Sequence, residues 1–245
     1  MTSHKIRIAK LLSNFNQGSR REIERLINNN KIYLNKKLVT TPVTFASSND
    51  EIFIEGKKVF FNKKIEILKF YKPKDIICSK KKQDERKIIY EIIKPKYKNY
   101  IFAGRLDFKS EGLIILTNSS LFTRNLELPS NKFLRKYEVR VFGNLDLNKL
   151  EKLSGGFKID NLLFKPFKYK IKSKIKKNTI IEMTLQEGKK NEIRKIFKKI
   201  NLQVNRLKRI SFGPFLLNNM QPGKIEKITD NELNLYENHI RNQKG

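Results

Sequence analysis

Gly104-Arg105-Leu106-Asp107-Phe108-Lys109-Ser110-Glu111-Gly112-Leu113, running into Ile114-Ile115-Leu116-Thr117-Asn118, is the stretch on which the reading of this chain turns. It ends in an apolar run of strand length, preceded by a glycine that permits a bend or a close backbone approach. Arg105 and Asp107 flank an apolar Leu106, so in extended chain both project to one side. A surface loop feeding a core strand has the same pattern, so the stretch gains meaning only from its neighbours.

The chain has 245 residues, enough for one large domain or two smaller ones. It carries 54 Lys and Arg against 24 Asp and Glu, a formal net charge of +30. Such a field attracts polyanions and implies phosphate-dominated, salt-sensitive binding, so nucleic acid is the expected partner. There is one cysteine, Cys78, so no internal disulfide is possible and no Cys-rich metal site is expected. The two histidines, His4 and His239, lie near the termini, which argues against a Ser-His-Asp triad, a Cys-His pair or a histidine zinc site. Chemistry then falls to carboxylate, Tyr, Lys or Arg. No apolar run approaches the roughly 20 residues of a membrane helix. No signal peptide is expected, and a cytoplasmic location is.

Upstream, Lys5 to Asn14 has Ile8, Leu11 and Leu12 at helical spacing. Ser19-Arg20-Arg21-Glu22 is a capping box that opens a second helix, with Ile23, Leu26 and Ile27 on its apolar face. Residues 31–39 read as a hairpin turning at Asn35-Lys36, and strands are expected near 51–54 and 59–61. A polar break at 62–66 sets the domain boundary, giving domains 1–61 and 65–245. Strands are then expected at 65–71, 76–79, 100–103 and 113–117, with short helices at 87–93 and 119–126. Residues 136–142, 164–172, 179–185 and 203–210 alternate as strands, and 148–153 and 192–200 read as helices. The C-terminal stretch reads as a polar tail.

The first 61 residues resemble the S4 RNA-binding domain: a basic helix, Ser-Arg-Arg-Glu opening the next, then Ile32-Tyr33-Leu34-Asn35-Lys36-Lys37. Lys5, Arg7, Lys10, Arg20, Arg21, Arg25 and Lys31, with Ser19, are the RNA-binding positions this resemblance implies. A solvated helix face pairing with Glu24 is the competing account of Arg20 and Arg21. The whole chain resembles the RsuA/RluB-type pseudouridine synthases. The match runs through Lys72-Pro73, Gly104-Arg105-Leu106-Asp107 with Ser110 and Gly112-Leu113, and Lys136-Tyr137-x-Val139. It continues through Glu187-Gly188, Glu192-Ile193-Arg194-Lys195 and Val204-x-Arg206-Leu207-x-Arg209. Leu128-Pro129-Ser130 and Val139 to Gly143 look most like the B-type enzyme of the large ribosomal subunit. Two turn positions depart from the pattern: Asp75 stands where Gly usually follows, and Ser119-Ser120 replace Asp-Gly.

The resemblance implies an α+β chain, with a small S4-like domain followed by a mainly antiparallel catalytic sheet flanked by helices. It implies Asp107 as catalytic carboxylate, Tyr137 against the target uracil, Arg194 paired with Asp107, and Arg105 filling the gap left by the flipped uridine. Leu207 would line the pocket. The expected partner is ribosomal RNA, of the large subunit or its precursor particle, acted on by a monomer without cofactor or metal. The chemistry asks for these residue types. A carboxylate can serve as nucleophile or base, and a base inside a duplex must leave the stack to be reached. Structural accounts compete: an Asp107–Arg194 ion pair, Tyr137 as a core residue, Arg105 as a phosphate clamp. A non-catalytic S4-type ribosome-assembly factor is the alternative function.

Overall fold

The computed structural model describes residues 5–61, 64–159 and 161–243, so part of the expected break at 62–66 lies outside the described residues. The chain forms two compact units. The first comprises residues up to Glu66 with Asn99–Ile101 and Thr117–Thr123, and the second comprises the rest.

In the first unit the opening basic segment starts as a two-residue strand, β1 (Ile6–Arg7), before α1 (Ile8–Asn14). α2 (Arg20–Asn28) begins at the expected capping box, with Ser19 accepting from the Glu22 backbone and Glu22 from that of Ser19. β2 (Ile32–Leu34) and β3 (Lys37–Leu38) form the hairpin, and β4 (Phe45–Ala46) pairs with β1. β5 (Ile52–Ile54) joins β2 on one side and β6 (Lys57–Lys58) on the other. The strand expected at 59–61 is therefore displaced to β6. Asn35 and Lys36 both take left-handed backbone, φ 48° and 68°, the turn that matches strand twist in a two-residue hairpin. Asn35 offsets the absent glycine by bonding the Glu51 amide and the Asp50 carboxylate. Ile8, Leu12, Ile23, Ile27, Ile32 and Ile52 are fully buried in the core of this unit.

The rest of the chain is built on a nine-stranded sheet. Its elements are β7 (Ile67–Lys72), α3 (Ile89–Ile92), β8 (Ile101–Ala103), β9 (Glu111–Thr117), α4 (Ser120–Glu127) and β10 (Arg135–Phe142). Then come α5 (Leu147–Ser154), β11 (Phe157–Ile159), β12 (Leu162–Phe164), β13 (Lys168–Ile175), β14 (Asn178–Leu185) and α6 (Glu192–Lys199). The chain closes with β15 (Gln203–Phe212), β16 (Phe215–Leu216), β17 (Ile225–Lys227) and α7 (Asp230–Asn242). The order across the sheet is β13-β14-β10-β15-β9-β7-β17, with β8 beside β9 and β16 beside β15. Pairing is antiparallel from β13 to β15 and between β7 and β17, and parallel between β15 and β9. β7 and β9 are buried along their whole length, as strands covered on both faces are.

Three expectations are corrected. Residues 76–79 are not a strand; only a bridge from Ile77 to Ile88 forms. The strand expected at 164–172 divides, because Phe164 ends the β11–β12 hairpin and β13 starts anew at Lys168. The polar C-terminal tail is the helix α7, capped by Thr229 and Glu232. Glu232 also forms a buried 3.0 Å ion pair with Lys69 of β7, which anchors the helix.

Candidate active site

Asp107 lies in the loop between β8 and β9, and that loop is fastened from below. Lys72, at the end of β7, is fully buried. Its ammonium donates to the carbonyls of Ser110 at 2.7 Å, Pro73 at 3.0 Å and Asp107 at 3.3 Å. Burial lowers the Lys72 pKa to about 8, while the nearby acidic groups of Cys78, Asp75 and Asp107 pull the other way. Asp75 takes left-handed backbone at φ 62°, doing the work of the glycine it replaces. Its amide donates to Phe108 and its carboxylate pairs with Lys109 at 2.9 Å, tightening the same loop. The other departure also has a local role, because the Ser119 hydroxyl accepts from the Phe122 amide at the start of α4.

Gly112 sets the position of the loop against the sheet. It faces Arg209 in the parallel β15–β9 pairing. At its φ of 111° a Cβ would overlap the Arg209 carbonyl oxygen and lie 2.6 Å from the Arg209 nitrogen. Only glycine allows this approach.

A cleft of about 670 Å³ opens above this loop. It is lined by Arg105, Asp107, Tyr137 and Leu207, by Arg135 and Arg209, and by the Leu185–Ile193 segment. The sheet register explains the convergence. Tyr137 lies opposite Arg209 and Val139 opposite Leu207, so these side chains share a face. A register shift between Lys136 and Tyr137 adds a local kink where Tyr137 enters the site. Tyr137 and Leu207 are buried, Asp107 is half-buried and Arg105 is exposed.

Arg194, in the first turns of α6, donates to the carbonyls of Val204 at 2.9 Å and Lys109 at 3.1 Å. Burial lowers its pKa and the charge of Asp107 opposes that shift. The two groups are thus within electrostatic reach, but no direct ion pair between them forms among the described residues. Arg194 acts on the Asp107 loop through the backbone of Lys109.

Three cleft groups, Arg135, Glu192 and Arg209, and Lys72 beneath the loop escaped sequence reasoning as site residues. Arg135 and Arg209 are both buried, and their guanidinium carbons stand 4.5 and 5.0 Å from the Phe212 ring. Arg209 Nε donates to Leu113 at 2.7 Å. Arg135 bonds the carbonyls of Phe133 and Gln186, and burial lowers its pKa. Burial, with the charge of Glu187 adding to it, raises the Glu192 pKa to about 7. For Arg135 and Arg209 the available signal was a charged residue at a strand position that alternation assigns to the interior.

In the first unit, Lys5, Arg7, Lys10, Ser19, Arg20, Arg21, Arg25 and Lys31 are all exposed, and Ser19 is occupied as the helix cap. Among the described residues no group of three or more His, Cys, Asp or Glu could hold a metal ion. None of the described helices is long and apolar enough to cross a membrane.

Most of this site, Leu207 and Arg209 excepted, lies in residues 66–199, which match the RNA pseudouridylate synthase family, and residues 6–52 match the S4 domain. An RNA pseudouridine synthase of Rickettsia felis is 35% identical, covering 91% of this chain and 97% of its own. The ribosomal large subunit pseudouridine synthase B of Buchnera aphidicola is 32% identical, covering 96% of this chain and 97% of its own. A crystal structure of a pseudouridylate synthase superposes with a TM-score of 0.67 at 20% identity, covering 94% of this chain and 99% of that one, which shows the shared fold. The chain belongs to the RNA pseudouridine synthases and carries an N-terminal S4 domain. By family it is an isomerase acting on RNA uridine.

Proposed function

We propose that this enzyme converts a specific uridine of large-subunit ribosomal RNA to pseudouridine, with Asp107 as the catalytic carboxylate. One observation carries the reading: Arg105 and Asp107 of one loop, Tyr137 of β10 and Leu207 of β15 line a single cleft of about 670 Å³, ample for a flipped nucleoside. The large-subunit assignment draws on the similarity to the Buchnera aphidicola enzyme and on the B-type likeness of Leu128-Pro129-Ser130 and Val139 to Gly143.

The reaction breaks the N1–C1′ bond and forms C5–C1′. C5 loses its proton and N1 ends protonated, so the product is an isomer and no cofactor is needed. Asp107 acts as nucleophile, at C6 of the base or C1′ of the sugar. Tyr137 packs against the uracil and assists removal of the C5 proton. Leu207 closes the apolar side of the pocket. Arg105, exposed at the cleft, occupies the space the uridine vacates. Arg194 and Lys72 hold the loop that carries Asp107. The exposed cations of the S4 domain, Lys5, Arg7, Lys10, Arg20, Arg21, Arg25 and Lys31, contact RNA phosphates near Ser19. The enzyme works as a cytoplasmic monomer with domains at 1–61 and 65–245.

Tritium release from C5-labelled uridine in ribosomal RNA tests the activity. Asp107→Asn is expected to abolish release while RNA affinity stays near wild type. An Asp107→Asn enzyme with full turnover would remove Asp107 from the chemistry. Pseudouridine mapping of ribosomal RNA with and without the protein tests the target.

A further inference from the structure

The cleft uses one face of its sheet. Paired residues in neighbouring strands share a face, and successive residues alternate. Tyr137 faces Met183 and Arg209, Val139 faces Ile181 and Leu207, and all of these are buried. The intervening residues make the opposite face. There Lys136 pairs with Thr184 and Ser211, Glu138 with Glu182 and Lys208, and Arg140 with Ile180 and Arg206. The edge strand β13 extends this face, with Lys168 beside Thr184 and Lys170 beside Glu182. The register shift between Ile171 and Ser173 makes Lys172 the extra residue, and its ammonium reaches Glu182 at 3.4 Å. Lys136, Arg140, Lys168, Lys170, Lys172 and Arg206 are all exposed.

The charge on this face is lopsided. Its carboxylates already have partners: Glu111 with Arg206, Glu138 with Lys208 and Glu182 with Lys172. Lys136, Arg140, Lys168 and Lys170 form no ion pair among the described residues; Arg140 bonds only the amide oxygen of Asn178. Lysines on an edge strand can serve simply to block strand addition. That accounts for Lys168 and Lys170, but not for Lys136 and Arg140 on the interior strand β10. Two strand residues span roughly 6.6 Å, comparable with the spacing of successive phosphates along one nucleic-acid strand.

We propose that this open face is a second RNA-docking surface, which binds the phosphodiester backbone of a structured segment distinct from the one entering the cleft. The proposal rests on the RNA-modifying reading for the class of its partner. Base-specific contacts are not required, so the surface reads RNA shape and charge.

The test uses the full chain and a 20-base-pair RNA duplex, followed by fluorescence anisotropy across a salt series. Arg140→Gln, Lys168→Gln and Lys170→Gln are combined in one variant. A control variant combines Lys152→Gln, Lys227→Gln and Arg241→Gln, exposed cations that lie off this face. Both give up the same charge. The face variant is expected to lower the slope of log affinity against log salt by about 2 to 3, at roughly 0.9 for each phosphate no longer neutralised. Its affinity at low salt should fall on the order of 10- to 100-fold, with the control near wild type. Equal weakening in both variants, or weakening in neither, would overturn the proposal. So would tighter wild-type binding to phosphatidylserine vesicles than to the duplex. On C5-tritiated ribosomal RNA the face variant should keep its kcat and raise its KM. If wild type releases no tritium, the modification reading fails, while the comparison of the two variants still decides the docking surface.

Discussion

Replacing Gly112 with alanine probes how the Asp107 loop is set against the sheet. The added Cβ would meet the backbone of Arg209, 2.6 Å from its nitrogen and 3.0 Å from its carbonyl carbon, where ordinary contact begins at 3.4 Å. Strand backbone cannot rotate aside like a side-chain tip, so β9 must retreat from β15 by roughly 1 Å, an overpacking cost of about 1–3 kcal/mol. The φ of 111° adds a further cost for any L side chain, about 1–2 kcal/mol. Together these give about 2–5 kcal/mol, or a fall in Tm of roughly 5–20 °C for a unit of this size. The retreat also carries Asp107 away from Tyr137 and Leu207, and a misplacement of 1 Å costs about 100-fold in kcat. Gly223→Ala is the control. Its φ is 81°, but nothing lies within 4 Å of the added Cβ, so only the conformational cost remains. Thermal unfolding and tritium release would be measured on both variants. If Gly112→Ala loses no more Tm than Gly223→Ala and keeps full kcat, the close approach of β9 to β15 does not position the loop.

Lys72→Met should lower stability by about 2–3 kcal/mol, because it leaves buried carbonyls without a donor, and should reduce kcat through the Asp107 loop; calorimetry and tritium release check both. Glu192 binds its proton more tightly folded than unfolded, with a folded pKa of about 7 against an ordinary 4.5. Its contribution to stability is therefore present at low pH and lost as pH rises through that window. Glu192→Gln should abolish this decline, so its Tm advantage over wild type should grow from pH 4.5 to 7. Ser19→Ala removes one half of the capping box and should destabilise the S4 domain by about 1 kcal/mol, read from amide exchange in α2.

Where a local rule was sufficient, sequence and structure agree. The Ser19 capping box, the alternation of β10, β14 and β15, and the apolar face of α6 each depend on residues a few positions apart. Residues 76–79 are apolar enough for a strand, but the charged loop after Ser79 supplies no neighbouring strand, and pairing stops at one bridge. The last helix carried its own signal in Thr229 and Glu232, which is the same pattern as Ser19 and Glu22. Its short apolar face hid it, since its attachment combines the buried Glu232–Lys69 pair with Tyr236 and His239 stacked on Phe133.

The sequence by itself determined the family, the two kinds of domain and the identity of Asp107, Tyr137 and Arg194 as the residues to examine. These come from short motifs that resemble those of a known family, each read from residues a few positions apart. Only the tertiary structure decided how Asp107 is held. Lys72 reaches the carbonyls of Asp107 and Ser110 from a strand more than 30 residues earlier, and Arg194 grips the Lys109 carbonyl from 85 residues later. Buried charge finds partners wherever the fold brings backbone oxygens together, and chain spacing carries no record of that.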